Sequence, residues 1–105
     1  MQDREILSIC KALSNEQRLQ IVRCLDHGER CACELLDGLN ISQPTLSHHM
    51  KLLETCGLVT ARRDGKWTIY SLSCDVLSDF QATIAVFRCC DATRGRSCRG
   101  DKATR

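Results

Sequence analysis

The spacing of apolar residues divides most of the chain into helical segments. Within each of the first four segments, apolar residues recur every three or four positions, the spacing of one buried helix face. The four stripes are Ile6, Ile9, Cys10 and Leu13; Leu19, Val22 and Leu25; a third between about Cys31 and Leu39; and Leu46, Met50 and Leu53.

Polar and glycine residues mark the ends of these segments. Ser14 followed by Gln17 is typical of a capping box and predicts the start of the second helix. Ser42 is a good N-cap for the fourth helix, and Pro44 is tolerated in its first turn. Gly57 then ends that helix.

The period changes from about four to two after Gly57. Residues 58–63 and 66–72 predict two short strands, and Asp64-Gly65 between them is a strong hairpin-turn signal. A last helix follows, with an apolar stripe of Val76 or Leu77, Phe80, Ile84 and Phe87.

These elements predict a mainly α fold with a small β-hairpin. A helix, a tight turn, a second helix and then a hairpin with a basic tip make up a winged helix-turn-helix. We expect residues 1–90 to form this DNA-binding and dimerisation domain. Residues 91–105 are rich in Arg, Gly, Asp, Ser and Thr, which predicts a flexible, basic, cysteine-containing tail.

Composition narrows the class of protein further. A chain of 105 residues with 43% hydrophobic and 4% aromatic residues forms one domain with a modest aliphatic core. Pairing with a copy of itself would bury more apolar surface. Apolar runs stay short of the ~20 residues that span a bilayer, and the N-terminus is charged. We therefore expect a cytoplasmic protein without a membrane partner.

The fourth helix and the hairpin tip carry the candidate DNA-binding residues. Short polar side chains and a cation on the outer helix face suit base edges and phosphates in a major groove. Basic side chains at the hairpin tip can neutralise phosphates. The candidates are Ser42, Gln43, Thr45, Ser47, His48, Lys51, Arg62, Arg63 and Lys66. The adjacent His49 points about 100° away from His48 and is expected to pack inside.

The nine cysteines are the unusual chemistry of this chain. In a reducing compartment an odd number of thiols indicates soft-metal binding, redox sensing or burial rather than a disulfide framework. Cys10, Cys24, Cys56 and Cys74 have no partner nearby in sequence, and we expect structural roles for them.

At this point the sequence resembles the ArsR/SmtB family of metal-responsive repressors over roughly residues 5–85. The resemblance is carried by residues 29–35 (ERCACEL), 42–49 (SQPTLSHH), 52–59 (LLETCGLV) and 63–70 (RDGKWTIY). It implies a homodimer formed through the first and last helices. It also implies a repressor that binds double-stranded, palindromic operator DNA near its own promoter.

The resemblance also implies an inducer site at Cys31 and Cys33, because arsenic-responsive members carry a Cys-x-Cys pair at this place. Thiolates suit As(III) or Sb(III), and a helix N-terminus favours the thiolate form. Residues two apart on a regular helix point to different sides, so binding of both sulfurs to one ion is expected to distort the first turn.

The sequence departs from the best-known arsenic pattern at Leu36, where some members carry a third cysteine. Either an outside thiol or hydroxide completes the ion, or another cysteine contributes. Cys89, Cys90 and Cys98 form a possible second or substitute site at the end of the last helix.

Two other interpretations of the cysteine pair remain open. Cadmium or lead can also use Cys-x-Cys, and two thiols can act as a redox switch without a metal. An enzyme is disfavoured by the lack of a Cys-x-x-Cys or phosphate loop in a βαβ setting. The zinc site typical of the family needs a histidine in the last helix, which residues 74–87 lack.

Overall fold

The computed structural model describes residues 1–87 of the chain. Five helices and three strands follow one another within this range. In chain order they are α1 (Asp3–Leu13), α2 (Glu16–Leu25), β1 (Arg30–Cys31), α3 (Ala32–Leu39), α4 (Gln43–Thr55), β2 (Val59–Asp64), β3 (Trp67–Leu72) and α5 (Cys74–Ala85). The predicted mainly α fold with a β-hairpin is confirmed.

An aliphatic core joins the first four helices to the base of the hairpin. The first four helices and the residue before β2 contribute buried side chains, among them Ile9, Ile21, Leu35, Leu46, Leu53 and Leu58. Ile21 lies outside the stripe predicted for α2. Leu19, predicted on the inner face of α2, is instead 38% exposed. The core therefore fixes α3 and α4 against α2, and it fixes the start of β2 against α4.

The helix ends follow local hydrogen bonding. Asn15, not the predicted Ser14, caps α2, because its side chain accepts hydrogen bonds from the amides of Gln17 and Arg18 at 2.9 and 3.1 Å. Ser14 instead closes α1, donating its hydroxyl to the carbonyl of Lys11. Ser42 caps α4 as predicted.

The turn between α3 and α4 is set by Asn40, which ends α3 with φ of 56°. Asparagine tolerates this left-handed conformation better than most residues with a side chain. The chain can therefore reverse within three residues, and α4 begins directly beside α3.

The three strands form one antiparallel sheet in the order β1-β3-β2. Asp64 pairs with Trp67, so the two-residue turn is Gly65-Lys66, one position later than predicted. We call the β2–β3 hairpin the wing. The two-residue strand β1 was not predicted; Arg30 pairs with Tyr70 and Cys31 with Ile69. This pairing attaches the start of α3 to the wing.

The outer faces of α1 and α5 remain uncovered within the described chain. Cys10, predicted to be buried, is exposed on α1 beside Leu7, which is 66% exposed. No side chain of α5 is fully buried, and Val86 and Phe87 are each 73% exposed. Cys74 is exposed as well, whereas Cys24 and Cys56 are half-buried.

The structure ends before the predicted domain boundary. The expected domain boundary at residue 90 and the expected tail at 91–105 lie outside the described residues. Between residues 1 and 87, each helix is too short or too polar to cross a membrane.

Candidate nucleic-acid interface and inducer site

Helix α4 separates its buried and exposed residues cleanly. Leu46, His49, Met50 and Leu53 lie on the core side. The opposite side is exposed and carries four of the predicted DNA-binding residues, which are Gln43, Ser47, His48 and Lys51. These side chains are donors, acceptors and one cation without a competing role in the core.

Ser42 and Thr45, also predicted to bind DNA, contact each other at the start of α4. The Ser42 hydroxyl donates to Thr45 Oγ1 at 2.8 Å, and Ser42 Oγ accepts from the Thr45 amide at 3.3 Å. Their hydrogen bonds thus fix the first turn of α4. A phosphate contact by either side chain would have to share these groups.

His49 is buried, as predicted, and ties α4 to α2. Its Nε2 donates to Gln17 Oε1 at 2.7 Å, and its Nδ1 accepts from the Arg18 guanidinium at 3.1 Å. Arg18 also donates from Nε to the carbonyl of Ala12 in α1 at 2.6 Å. Burial lowers the pKa of His49, and the charge of Arg18 and the neighbouring His48 lower it further. The imidazole is therefore held neutral.

The three cations of the wing are in different environments. Arg62 forms an ion pair with Glu29 and lies 4.0 Å from Asp64. Arg63 donates to Thr68 at 3.4 Å, and the Lys66 ammonium lies 5.5 Å from the centre of the Trp67 ring. All three are exposed, but Arg62 already has a carboxylate partner. Lys66, in the turn, is the most available to a phosphate.

Cys31 and Cys33 meet at the junction of β1 and α3. Cys31 is the N-cap of α3, with extended φ and ψ of −81° and 162°, so its side chain does not follow the helical direction. The two Sγ atoms lie 2.9 Å apart. The expectation that the two side chains point to different sides of a helix is therefore wrong, because the extended geometry of Cys31 already brings the sulfurs together.

The immediate surroundings affect the protonation of this pair. The Cys31 amide donates to Glu34 Oε1 at 2.9 Å, which holds the pKa of that carboxyl below its usual value. The hydrogen bond with the Cys31 thiol, and secondarily the partial loss of hydration, raise the pKa of Cys33. The backbone amide of Glu34 at the helix start lowers the pKa of Cys33, in the expected direction, but the opposing effect of Cys31 is larger.

The two thiols open into a groove between α3 and the wing. Glu29, Cys31, Cys33, Glu34, Trp67 and Ile69 line it. Ile69 is the strand partner of Cys31, and the Trp67 ring is 48% exposed. Neither Trp67 nor Ile69 was predicted as a site residue, since their place beside the thiols depends on the β1–β3 pairing.

Within residues 1–87 no group of three or more His, Cys, Asp or Glu side chains is arranged to hold a metal ion. The described part of one chain thus brings two thiols together and adds no third ligand. Cys89, Cys90 and Cys98 lie outside the described residues.

Comparison with known proteins gives one answer for the family. Residues 15–61 match the family model described as "Bacterial regulatory protein, arsR family". An arsenical resistance operon repressor of Staphylococcus aureus is 48% identical over 79 residues, which cover 75% of this chain and 76% of the relative. The chain belongs to the ArsR family. The residues that match the family model run from α2 into the wing and include Cys31 and Cys33.

Two further comparisons extend this result over the chain. An arsenical resistance operon repressor of Staphylococcus xylosus is 39% identical over 103 residues, covering 98% of this chain and 97% of the relative. A solution structure of a homodimeric winged helix-turn-helix domain from Mycobacterium bovis has a TM-score of 0.67 and 31% identity, covering 82% of this chain and 86% of that one. This ArsR-family protein is a transcriptional repressor and not an enzyme.

Proposed function

We propose that the protein represses transcription as a homodimer on double-stranded operator DNA and dissociates when As(III) or Sb(III) binds Cys31 and Cys33. The observation that carries the proposal is the 2.9 Å separation of the two sulfurs. Bonds of about 2.3 Å to a shared ion join sulfurs about 3–4 Å apart, so the pair needs only a small displacement. The S. aureus and S. xylosus relatives are arsenical resistance repressors.

DNA binding follows from the exposed side of α4 and the wing. Gln43, Ser47, His48 and Lys51 face outward together, as the base-reading residues of a recognition helix do. Arg63 and Lys66 extend the cationic surface onto the wing. Ser42, Thr45 and Arg62 complete the proposed contact set through the helix start and the wing strand.

Dimerisation explains the uncovered faces of α1 and α5. Leu7, Val86 and Phe87 are large apolar side chains that lie mostly exposed, the kind of surface that a partner covers. Residues from the start of α1 and from α5 line one groove, so the two helices lie on the same side of the molecule. A second copy of the chain would bury the exposed faces of α1 and α5. The resulting dimer would present two copies of α4 to one operator.

Release of DNA is proposed to pass through β1. Cys31 is hydrogen-bonded to the wing through β1, and Cys33 is in the first turn of α3. An ion held by both sulfurs would fill the groove beside Trp67 and change the distance between α3 and the wing. Since α3 and α4 both pack against α2, a displaced α3 also shifts α4 relative to the wing, and the two can no longer contact the same DNA together.

The third bond of the ion needs a donor beyond the two thiols. A small-molecule thiol or hydroxide can reach the groove because Cys33 is exposed. Cys89, Cys90 and Cys98 remain the proposed second or substitute site. Trivalent arsenic needs three bonds, whereas cadmium usually takes four sulfur-rich ligands, so two thiols favour arsenite over cadmium or lead.

Fluorescence anisotropy of a labelled duplex from the protein's own promoter tests the proposal. We expect arsenite to release wild-type protein, and Cys31→Ser to bind DNA normally but resist release. Cys74→Ser, which changes an exposed cysteine outside the groove, should behave as wild type. Release that survives Cys31→Ser would move the site to Cys89, Cys90 and Cys98. If only cadmium or lead releases the DNA, that ion and not arsenite is the inducer.

A second candidate is a thiol switch, which the same 2.9 Å separation favours. Oxidation of Cys31 and Cys33 would join the sulfurs without an ion. Peroxide-driven release in metal-free buffer, reversed by dithiothreitol and absent from Cys33→Ser, would establish it. An unchanged DNA affinity under peroxide would eliminate it.

A further inference from the structure

A groove that shares no lining residue with the thiol groove lies where α1, α2 and α4 meet. Its volume of about 290 Å³ is close to the lower limit of about 300 Å³ that is usual for small-molecule sites. The residues that line it are Ser8, Lys11, Ala12, Arg18, Leu52 and Thr55. Two of these carry a positive charge, two carry a hydroxyl and none is acidic, so the groove is complementary to a small anion.

Neither Lys11 nor Arg18 has a carboxylate partner in the described part of the chain. Both ion pairs found between residues 1 and 87 involve Arg62 on the wing. Arg18 donates from Nε to the Ala12 carbonyl at 2.6 Å and from Nη1 to His49 at 3.1 Å. These two contacts fix the plane of the guanidinium and leave its other N–H donors for a ligand.

We propose that this groove binds a small oxyanion of the hydrogenphosphate type, and that the bound ion weakens operator binding. Lys11 and Arg18 supply the positive charge, and the Ser8 hydroxyl donates a further hydrogen bond. The Thr55 hydroxyl already donates to the Lys51 carbonyl at 2.8 Å, so its oxygen is left to accept from a protonated oxygen of the ion. The proposed ion site does not use the two thiols, and only its effect on the operator rests on the proposed function.

Arg18 connects the groove to the recognition helix through the buried His49. The charged or titratable groups that act on His49 are Arg18 from α2 and His48 from α4, and α1 contributes the Ala12 carbonyl that Arg18 holds. Burial lowers the pKa of His49, and the charges of Arg18 and His48 lower it further. An oxyanion bound to Arg18 offsets part of this positive charge, so its binding raises the pKa of His49 above the value in the ligand-free protein.

The place of the groove on α4 determines the sign of its effect on DNA binding. Leu52 and Thr55 follow His48 at helical spacing, and all three are exposed, so the groove continues the side of α4 that carries His48. A bound anion therefore lies beside the helix face that is proposed to enter the major groove, where it repels the phosphates of the operator. By linkage, operator DNA weakens binding of the anion by the same factor.

NMR titration of the histidine ring signals in the full-length protein tests the ion site without DNA. Inorganic phosphate is added against chloride at equal pH and ionic strength. We expect the His49 signals to shift to saturation and the pKa of His49 to rise, while the exposed His27 serves as the unaffected reference. Sulfate should bind more weakly, because it offers no proton to Thr55. Shifts that do not saturate, or equal binding of sulfate, would overturn the proposal.

Two variants with the same change of charge locate the site. Lys11→Gln should weaken phosphate binding about three- to fivefold, the contribution of one exposed charge pair. Arg23→Gln removes an exposed cation of α2 outside the groove and should bind phosphate as the wild type does. Equal losses in both variants would show that phosphate binds elsewhere, and the wild-type titration remains decisive even if a variant does not fold.

Anisotropy of the labelled operator duplex tests the effect on DNA. Phosphate should weaken wild-type binding about threefold relative to chloride at the same ionic strength, and Lys11→Gln should remove the difference. If Lys11→Gln lowers the salt slope without phosphate, the groove holds a backbone phosphate of the operator; if it shifts the monomer–dimer equilibrium, a second copy covers the groove. Either result would overturn the proposal. A protein that binds phosphate at this groove but does not bind operator would contradict the proposed function instead.

Discussion

Arg62 on the wing forms an ion pair with Glu29, which lies two residues before Cys31. The pair connects a predicted phosphate-binding cation with the segment that leads into the inducer thiols. Both side chains are about half exposed, so the pair contributes at most about 1 kcal/mol to stability. The pair matters for DNA binding, because a guanidinium that is paired with Glu29 is less available to a phosphate.

The first prediction concerns the unequal roles of the wing cations. Lys66→Ala should weaken DNA binding on all sequences and lower the slope of log K against log salt by about 1.8, the loss of one phosphate contact in each copy of the dimer. Arg62→Ala should have a smaller effect, because Glu29 already neutralises that guanidinium. Anisotropy titrations at several salt concentrations measure both slopes.

Glu29→Gln is the matched variant for this comparison. It releases Arg62 without shortening the side chain and should tighten DNA binding at low salt. If Arg62→Ala costs as much affinity as Lys66→Ala, the ion pair does not withhold Arg62 from DNA.

A second prediction follows from the neutral His49. The pKa of the folded-state imidazole is lowered by burial and by Arg18, whereas the unfolded chain protonates near about 6.5. Below that pH the unfolded state binds more protons, so the stability from His49 is lost as pH falls toward the folded-state pKa. Urea unfolding between pH 8 and pH 5 measures the loss.

His49→Gln should flatten this pH dependence, since glutamine can still meet Gln17 and does not titrate. His27→Gln, at an exposed position, is the control and should keep the wild-type profile. Equal flattening in both variants would show that His49 is not the group responsible.

The third prediction addresses the uncovered face of α1. Leu7→Glu places a charge where the proposed partner packs, and it should convert the dimer to monomers in sedimentation experiments. Operator affinity should fall at least tenfold, because each half-site would be bound alone. Gln20→Glu adds the same charge on an exposed part of α2 and should leave the dimer intact. A dimeric Leu7→Glu protein would place the interface elsewhere.

Local patterns were enough to predict most of the fold. The stripes ending in Leu13 and Leu53 belong to helices whose buried faces the sequence periodicity identifies. In α2 the periodicity was misread, because Leu19 is exposed and Ile21 is buried. Ser14 and Asn15 can both cap a helix, so the start of α2 was misplaced by one residue. Cys10 was assigned to the core because the apolar stripe of α1 is wider than the surface that one chain covers.

The part that could not be predicted depends on contacts distant in sequence. Strand β1 has two residues, too few to show a period, and it forms only because β3 lies beside it almost 40 residues later. The position of the Cys-x-Cys pair was correct, but the geometry of its sulfurs was not, because both residues were assumed to lie in a helix. The same missing strand concealed Trp67 and Ile69.

The edge position of β1 has a consequence for how fast an inducer can act. A two-residue strand at the border of the sheet is held by few hydrogen bonds, whereas Leu35, three positions into α3, is fully buried. Such a segment detaches by local fluctuation far more often than the whole domain unfolds. The rearrangement that follows inducer binding would then be governed by this opening, and the Cys31 amide should exchange with deuterium long before that of Leu35.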